Sequence, residues 1–393
     1  MKKLLLASAA CALIAGAAGA DEVKLGVHLG FTGPLESMAP DIAAGAKAAA
    51  KEVSDSGKLL GGASVVTSDS DTTCTDAAAS VAAAERQVAN GVRAMVGGQC
   101  SGETIATLEK VAIPNGMLMI SPSATSPALT TIEDGGLFFR AAPSDARQGE
   151  VLAQLAKEAG LESIAITYTN NDYGKGLADS IQAAFEKLGG KVTISAAHDD
   201  GKGDYSAEVA ALAAGGGDAL AVVGYVDQGG SGVTRGALDT GAFSKFLFPD
   251  GMIGQELVNR FGSEIDGSIG INPAAEGDGR AKFEELAAAN GFNPSGPYSA
   301  ESYDAAALIL LSMQAAGAAD PAMAKDKVME IANAPGEKVL PGELAKGLEL
   351  IAAGTDIDYV GASSVELIEP GESAGSFRET VIKNGELEVV GFH

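Results

Sequence analysis

Apolar and polar positions follow two alternating rhythms along this chain. Val23–Leu29, Ala63–Ser68, Val92–Val96 and Met117–Ile120 are short runs rich in apolar residues, the length of strands buried on both faces. Between them, Asp41–Val53, Thr75–Asn90 and Glu103–Ala112 are longer and Ala-rich with charge on one side, which predicts helices. Thr75 and Asp76 are capping candidates for the second of these. The rhythm restarts after Arg140. Helices are expected over Asp145–Ala159, Tyr173–Leu188, Tyr205–Ala214 and Ser231–Thr240, alternating with strands over Ile164–Tyr168, Val192–Ala196, Ala219–Val223 and Phe246–Phe248. Gly215-Gly216-Gly217 precedes a strand and reads as a turn. Ala281–Asn290 and Ser299–Ala316 are further helices, and Phe377–Phe392 reads as a hairpin turning at Asn384-Gly385. Repeated β-α-β-α order predicts an α/β fold of two doubly wound parallel-sheet lobes, with a ligand cleft at the carboxyl ends of the strands.

The first 20 residues stand outside this pattern. Lys2 and Lys3 are followed by an apolar run from Leu4 to Ala17, and Ala18-Gly19-Ala20 offers small residues before Asp21. That order predicts a cleaved secretory signal peptide at 1–20. The run is shorter than the ~20 residues of a membrane-spanning helix. Cys11 raises a lipoprotein anchor as an alternative, but Ser8-Ala9-Ala10 lacks the Leu such a site usually carries. Export would leave a chain of about 370 residues, more than one ordinary core. Losing Lys2 and Lys3 would take the net charge from −25 to −27. Such a surface repels nucleic acid, so no nucleic-acid partner is expected, and acidity identifies no other. Cys74 and Cys100 would remain. In an oxidising compartment such a pair is usually a disulfide, here closing a 26-residue loop, although a thiol nucleophile or metal pair is the alternative reading.

Chemistry is concentrated just after the strands. Gly97-Gly98-Gln99-Cys100-Ser101 follows the third and leads into a helix, so Ser101 lies at or near an N-cap that suits a carboxylate. Ser121-Pro122-Ser123-Ala124-Thr125-Ser126-Pro127 follows the fourth, dense in hydroxyls and stiffened by two prolines. Either is an ordinary cap or turn by itself; together they are a candidate anion clamp. In the second half, Tyr173, Tyr225 and Asp250 fall after strands. Asp250 can meet an ammonium group, or serve only as the turn residue before Gly251. Catalytic signatures are missing: His28 lies in a strand, His198 in a polar loop and His393 at the end, and no P-loop, G-x-S-x-G or G-x-G-x-x-G follows a strand. No enzyme activity, cofactor or metal is expected. Asp69, Asp71 and Asp76 could bind calcium, but a solvated acidic surface explains them as well.

These residues carry a resemblance. Lys24-Leu25-Gly26-Val27, Thr32-Gly33-Pro34, Asp71-Thr72-Thr73-Cys74, Gly98-Gln99-Cys100-Ser101, Ile120 to Thr125, Asp172 to Leu177, Gly224-Tyr225, Pro249-Asp250-Gly251 and Pro294 to Tyr298 match, in order and spacing, the periplasmic leucine/isoleucine/valine-binding proteins of ABC transporters. The similarity runs from about Val23 to about Gly317 and more loosely to the end. It implies a type I periplasmic binding fold, or Venus flytrap. Its N-terminal lobe would comprise 21–141 and 271–365, and its C-terminal lobe 142–270 and 366–393. It also implies roles. Ser101 and Thr125 would hold a ligand α-carboxylate. The Ser123 carbonyl and Asp250 would hold an α-ammonium, and Tyr173, Tyr225 and Tyr298 would close over the ligand. Cys74 and Cys100 would form the family disulfide. The resembling proteins are periplasmic, so a monomer that docks on a permease–ATPase complex at the inner membrane is expected. A sensory protein serving a receptor, or an exported enzyme, are the rival functions.

Three departures bear on the ligand. Asp250 stands where the family often has Glu, and Met38 where leucine binders have Tyr near the ligand side chain. Gln99 stands where they commonly have an apolar residue. An unpaired amide at Gln99 would favour a polar ligand. Related proteins take amides, urea, short-chain amines or aromatic acids, so leucine is not the required substrate.

Overall fold

The computed structural model describes residues 22–393, so the expected signal peptide and Cys11 lie outside the described residues. In the first half, strands β1 (Glu22–Leu29), β2 (Ser64–Asp71), β3 (Ala94–Gly97), β4 (Leu118–Ser121) and β5 (Phe138–Arg140) pair in parallel in the order β5-β4-β3-β1-β2. Helices α1 (Ala39–Ser56), α2 (Ala77–Ala89), α3 (Ser101–Thr107) and the short α4 (Ile113–Asn115) connect them. The expected helix over Glu103–Ala112 begins two residues earlier, and Leu108–Ala112 is wound more widely, as a π-helical stretch.

The chain then crosses to a second sheet. Helices α5 (Asp145–Glu158), α6 (Asp172–Lys187), α7 (Ser206–Gly215), α8 (Gly229–Thr240) and α9 (Gln255–Phe261) alternate with β6 (Ser163–Thr169), β7 (Lys191–His198), β8 (Ala219–Val223), β9 (Phe246–Phe248) and β10 (Ile269–Pro273). The five strands are parallel, in the order β10-β9-β8-β6-β7. Every residue of β8 is buried, which is why it reads as an unbroken apolar run rather than an alternation.

The return to the first lobe brings α10 (Asp278–Asn290) and α11 (Ser299–Ala316). Residues Ser299 to Met313 of α11 are all buried, and the helix packs on α1. The crossing is close: a Cβ on Gly45 would lie 2.1 Å from the Ser299 carbonyl oxygen, so only glycine fits. Helices α12 (Pro321–Ala324), α13 (Val328–Ala332) and α14 (Leu344–Ala352), with the small parallel pair β11 (Glu337–Val339) and β12 (Ile357–Tyr359), complete this region. Strands β13 (Leu367–Ile368) and β14 (Glu372–Ser373) then extend the first sheet beside β5, and the hairpin β15 (Phe377–Lys383) and β16 (Glu386–Phe392) extends the second beside β10.

This pairing corrects two expected lobe boundaries. β10 belongs wholly to the second sheet, so the return crossing follows Pro273 rather than residue 270. β13 and β14 belong to the first, so the final crossing follows Ser373 rather than residue 365. β10 pairs with the distant β15 as well as with β9, and β14 pairs with the distant β5, which local pattern does not register. His198 also differs from expectation. It ends β7, buried, with Nδ1 2.8 Å from the Thr167 hydroxyl, rather than lying in a polar loop.

Candidate ligand-binding site

Parallel order points the carboxyl ends of both sheets toward the interlobe space, and the strand-end residues meet there. A tight void of about 10 Å³ is lined by Leu35, Met38, Gln99, Cys100, Ser101, Ser123, Tyr173, Tyr225, Asp250, Gly251 and Tyr298. All of the expected ligand residues except Thr125 are among these walls. A larger open groove between α7 and α8 shares none of them.

The first-lobe wall is built from two interlocked loops. Ser121 Oγ donates to the Gly98 carbonyl (2.7 Å) and accepts from the Ala124 N–H (2.9 Å). Ser123 Oγ donates to the Gln99 carbonyl (2.9 Å), and Ser101 Oγ accepts from the Ser126 N–H (3.0 Å). The hydroxyls thus fasten the loop after β3 to the loop after β4. Cys100 occupies the N-cap of α3, with Ser101 the first helical residue. Glu103 closes the loop from below: its Oε1 accepts from the Gln99 and Cys100 N–H groups at 2.8 and 3.0 Å. Burial pushes the Glu103 carboxyl up to about 7, opposed by those hydrogen bonds. The Cys74–Cys100 disulfide is formed, tying the segment before α2 to the same loop.

Gln99 is not the unpaired amide that the sequence suggested. Its Oε1 accepts from the Gly30 N–H (2.9 Å) and its Nε2 donates to the Leu35 carbonyl (3.3 Å). Its polar atoms are spent on its own lobe, so it gives no argument for a polar ligand. Nor do Asp69, Asp71 and Asp76 form a cation site: Asp69 pairs with Lys47, Asp71 accepts from Thr32 and Thr73, and Asp76 caps α2.

The second-lobe wall centres on Asp250. Tyr173 donates its hydroxyl to Asp250 Oδ1 (2.7 Å), and Tyr298, entering ahead of α11, donates to Oδ2. Tyr173 and Tyr225 stack, ring centroids 5.3 Å apart, and Asn171 Nδ2 donates to the Tyr225 hydroxyl (3.2 Å). A Cβ on Gly251 would fall 2.5 Å from the Gly224 carbonyl and 2.8 Å from the Tyr173 hydroxyl, so glycine is required beneath the tyrosine. Tyr298 has φ 64°, a left-handed backbone unusual for an aromatic residue. Such strain concentrates at ligand sites. Burial raises the Asp250 carboxyl, opposed by the hydroxyls of Tyr298 and Tyr173.

Thr125 is fully buried and does not line the void. Its carbonyl accepts from the Asp145 N–H (2.8 Å), and its hydroxyl lies against the Asp145 carboxyl. Asp145 and Gln148, which the sequence did not single out, stand beside it; Ser144-Asp145 reads locally as an ordinary helix start. Leu35 was missed as well, although it adjoins the Thr32-Gly33-Pro34 stretch.

The comparisons decide the family. Residues 22–337 match the periplasmic binding protein family. Leu/Ile/Val-binding protein homolog 1 of Brucella melitensis is 31% identical over 347 residues, covering 86% of this chain and 89% of that protein. The chain belongs to the periplasmic binding protein family. A leucine-binding protein from Thermotoga maritima shares the fold with a TM-score of 0.79 at 23% identity, covering 94% of this chain and 98% of that one. An ABC transporter solute-binding protein from R. palustris, solved with benzoate, gives 0.75 at 16% identity over 95% and 96% of the chains. The disulfide and the two-lobed fold agree with this membership. Fold likeness spans amino-acid and aromatic-acid binders alike, so ligand choice rests on the site's own residues.

Proposed function

We propose that this protein is the periplasmic solute-binding component of an ABC importer and takes an α-amino acid, of the branched-chain type or close to it, between its lobes. The observation that carries this reading is the pairing of walls: hydroxyl-rich loops on the first lobe face a buried carboxylate and two tyrosines, Tyr173 and Tyr225, on the second, with Tyr298 reaching Asp250 from the first. The first suits a carboxylate and the second an ammonium group. The name of the Brucella relative supports the same ligand class.

The mechanism is hinge closure across three crossing segments. The ligand's α-carboxylate meets Ser101 and Thr125 on the open first lobe. Closure then brings Tyr173, Tyr225 and Asp250 against the ammonium and the side chain. Water is expelled, which strengthens the charged contacts. The closed form is what a permease complex would recognise, and delivery follows from reopening. Met38 and Leu35 give the side-chain end of the cleft an apolar lining.

Thermal-shift and calorimetric screening of the mature protein against the twenty amino acids, simple amides and benzoates tests this. A ligand-dependent rise in melting temperature with an aliphatic amino acid is expected, and Asp250→Ala should cost about 2–5 kcal/mol of that binding. No response to any amino acid would refute the reading.

A further inference from the structure

A second cavity, of about 500 Å³, also lies between the lobes. Met38 is the one residue that lines both it and the ligand void. The first lobe contributes Met38, Asp41 and Pro297. The second contributes Val226 and Ile253, just after β8 and β9, and one face of the terminal hairpin. On that face Arg378 and Thr380 alternate along β15, and Val389 of β16 pairs with Thr380. The lining thus combines aliphatic side chains with one cation.

That cation is under-coordinated. Among the described residues, the one hydrogen bond of the Arg378 side chain runs from Nη2 to Asn272 Oδ1 (3.2 Å), its Nε is buried without a partner, and no carboxylate lies within ion-pair distance. Partly buried guanidinium groups are ordinarily paired. Burial, and then the neighbouring Arg280, push the Arg378 guanidinium below its ordinary range. The fully buried Glu301, itself raised to about 7 chiefly by burial, opposes this only in part. Met38 and Asp41 also place the first turn of α1 in the wall, and no side chain caps that helix, so its dipole adds positive potential.

We propose that this cavity is a second binding site, for a small carboxylate with an apolar body, and that its occupation holds the lobes closed over the amino acid. The coupling, though not the site, rests on the amino-acid reading above. A carboxylate on Arg378 gains a charge-assisted bond, and an aliphatic or aromatic body covers Met38, Val226 and Ile253. Two acids in the wall limit the charge. Asp41 accepts from Asn293 Nδ2 (3.0 Å) and Glu256 pairs with Arg260 Nε (2.8 Å), so a second negative group on the occupant would meet them. Because both lobes form the walls, an occupant makes all of its contacts only while the lobes are together. It therefore favours closure, and the effect on amino-acid affinity is reciprocal.

Calorimetry of the mature protein with leucine, hexanoate and hexanamide tests this. Hexanoate should bind leucine-saturated protein, and saturating hexanoate should tighten leucine by about threefold or more. Hexanamide, the same body without the charge, should bind about tenfold more weakly than hexanoate, and Arg378→Gln should weaken hexanoate about as much while leaving leucine, titrated alone, within about twofold of wild type. Val389→Trp, on the hairpin surface, fills the cavity without touching Arg378 and should abolish hexanoate binding, which keeps the test decisive if Arg378→Gln fails to fold. Mutual exclusion of leucine and hexanoate would place both in the first void and overturn the proposal. So would hexanoate binding that ignores both substitutions, or none at all. A protein that binds hexanoate through Arg378 and no amino acid keeps the second site and removes the amino-acid reading with its coupling.

Discussion

Gln99 shows how far a residue's type can mislead about its task. An amide facing a ligand cleft reads as a specificity group, yet its two ends are fixed to Gly30 and Leu35. It is a brace between the loop after β3 and the segment after β1. Gln99→Leu should therefore leave the Gly30 N–H unsatisfied and cost about 1–3 kcal/mol of stability in urea unfolding. Affinity should fall while the rank order of ligands is preserved; a new preference for apolar ligands at unchanged stability would restore the specificity role. Asp145 is the converse. A Ser-Asp pair at a helix start is ordinary capping chemistry in one dimension, and only full burial beside Asp250 separates it from the many others. Tyr173, Tyr225 and Asp250 were legible because parallel strands put their carboxyl-end residues at one edge, so position along the rhythm stood in for position in space.

At the scale of elements, the same reasoning explains what was legible and what was not. Ala219–Val223 and Phe246–Phe248 emerge as expected because central parallel strands are apolar on both faces. The terminal hairpin does so because Asn384 and Gly385 both take positive φ, 53° and 74°, as a tight hairpin turn requires. β5, β13 and β14 have two or three residues each, too few for periodicity, and the pairing that joins β14 and β13 to the first sheet links Glu372 to Arg140, more than two hundred residues away. Also invisible in sequence is the polar network beneath the α3 loop. His28 Nε2 lies 2.9 Å from Ser80 Oγ, which donates to Glu103 at 3.0 Å, and Glu103 holds the loop. Because the folded Glu103 carboxyl is raised from 4.5 to about 7, the native state keeps a proton that the unfolded chain has lost. This contribution is fully present below about pH 4.5 and is lost as pH rises through about 7. His28, lowered to about 4 chiefly by burial, acts oppositely, losing stability as pH falls from 6.5 toward 4. The difference in unfolding free energy between wild type and Glu103→Gln, measured by urea unfolding from pH 4.5 to 8, should fall by up to about 3 kcal/mol, since His28 is common to both. A flat difference curve would show that Glu103 is ionised throughout.

At the scale of the whole molecule, the lobes are latched as well as hinged. Asp227, just after β8, donates its N–H to the Pro34 carbonyl (3.1 Å), and its Oδ2 accepts from the Ser37 N–H (2.9 Å). Arg260 holds its other oxygen at 3.1 Å, so the carboxylate is oriented from within the second lobe before it meets the first. A second strap runs from Ser126 Oγ to the Asp172 carbonyl (3.0 Å). These contacts join the two lobes and lie outside the lining of the void. Their removal should shift the open–closed balance and leave the cleft intact. Asp227→Ala loses one charge-assisted bond, which predicts a smaller closed fraction and about tenfold weaker apparent affinity. Small-angle scattering across a ligand titration separates this from damage to the site. The variant should reach the same compact end state as wild type, but at higher ligand concentration. An end state that stays expanded at saturation would mean that Asp227 shapes the closed form itself, and an unshifted titration would mean that the ligand alone, through the walls it joins, provides all of the closing force.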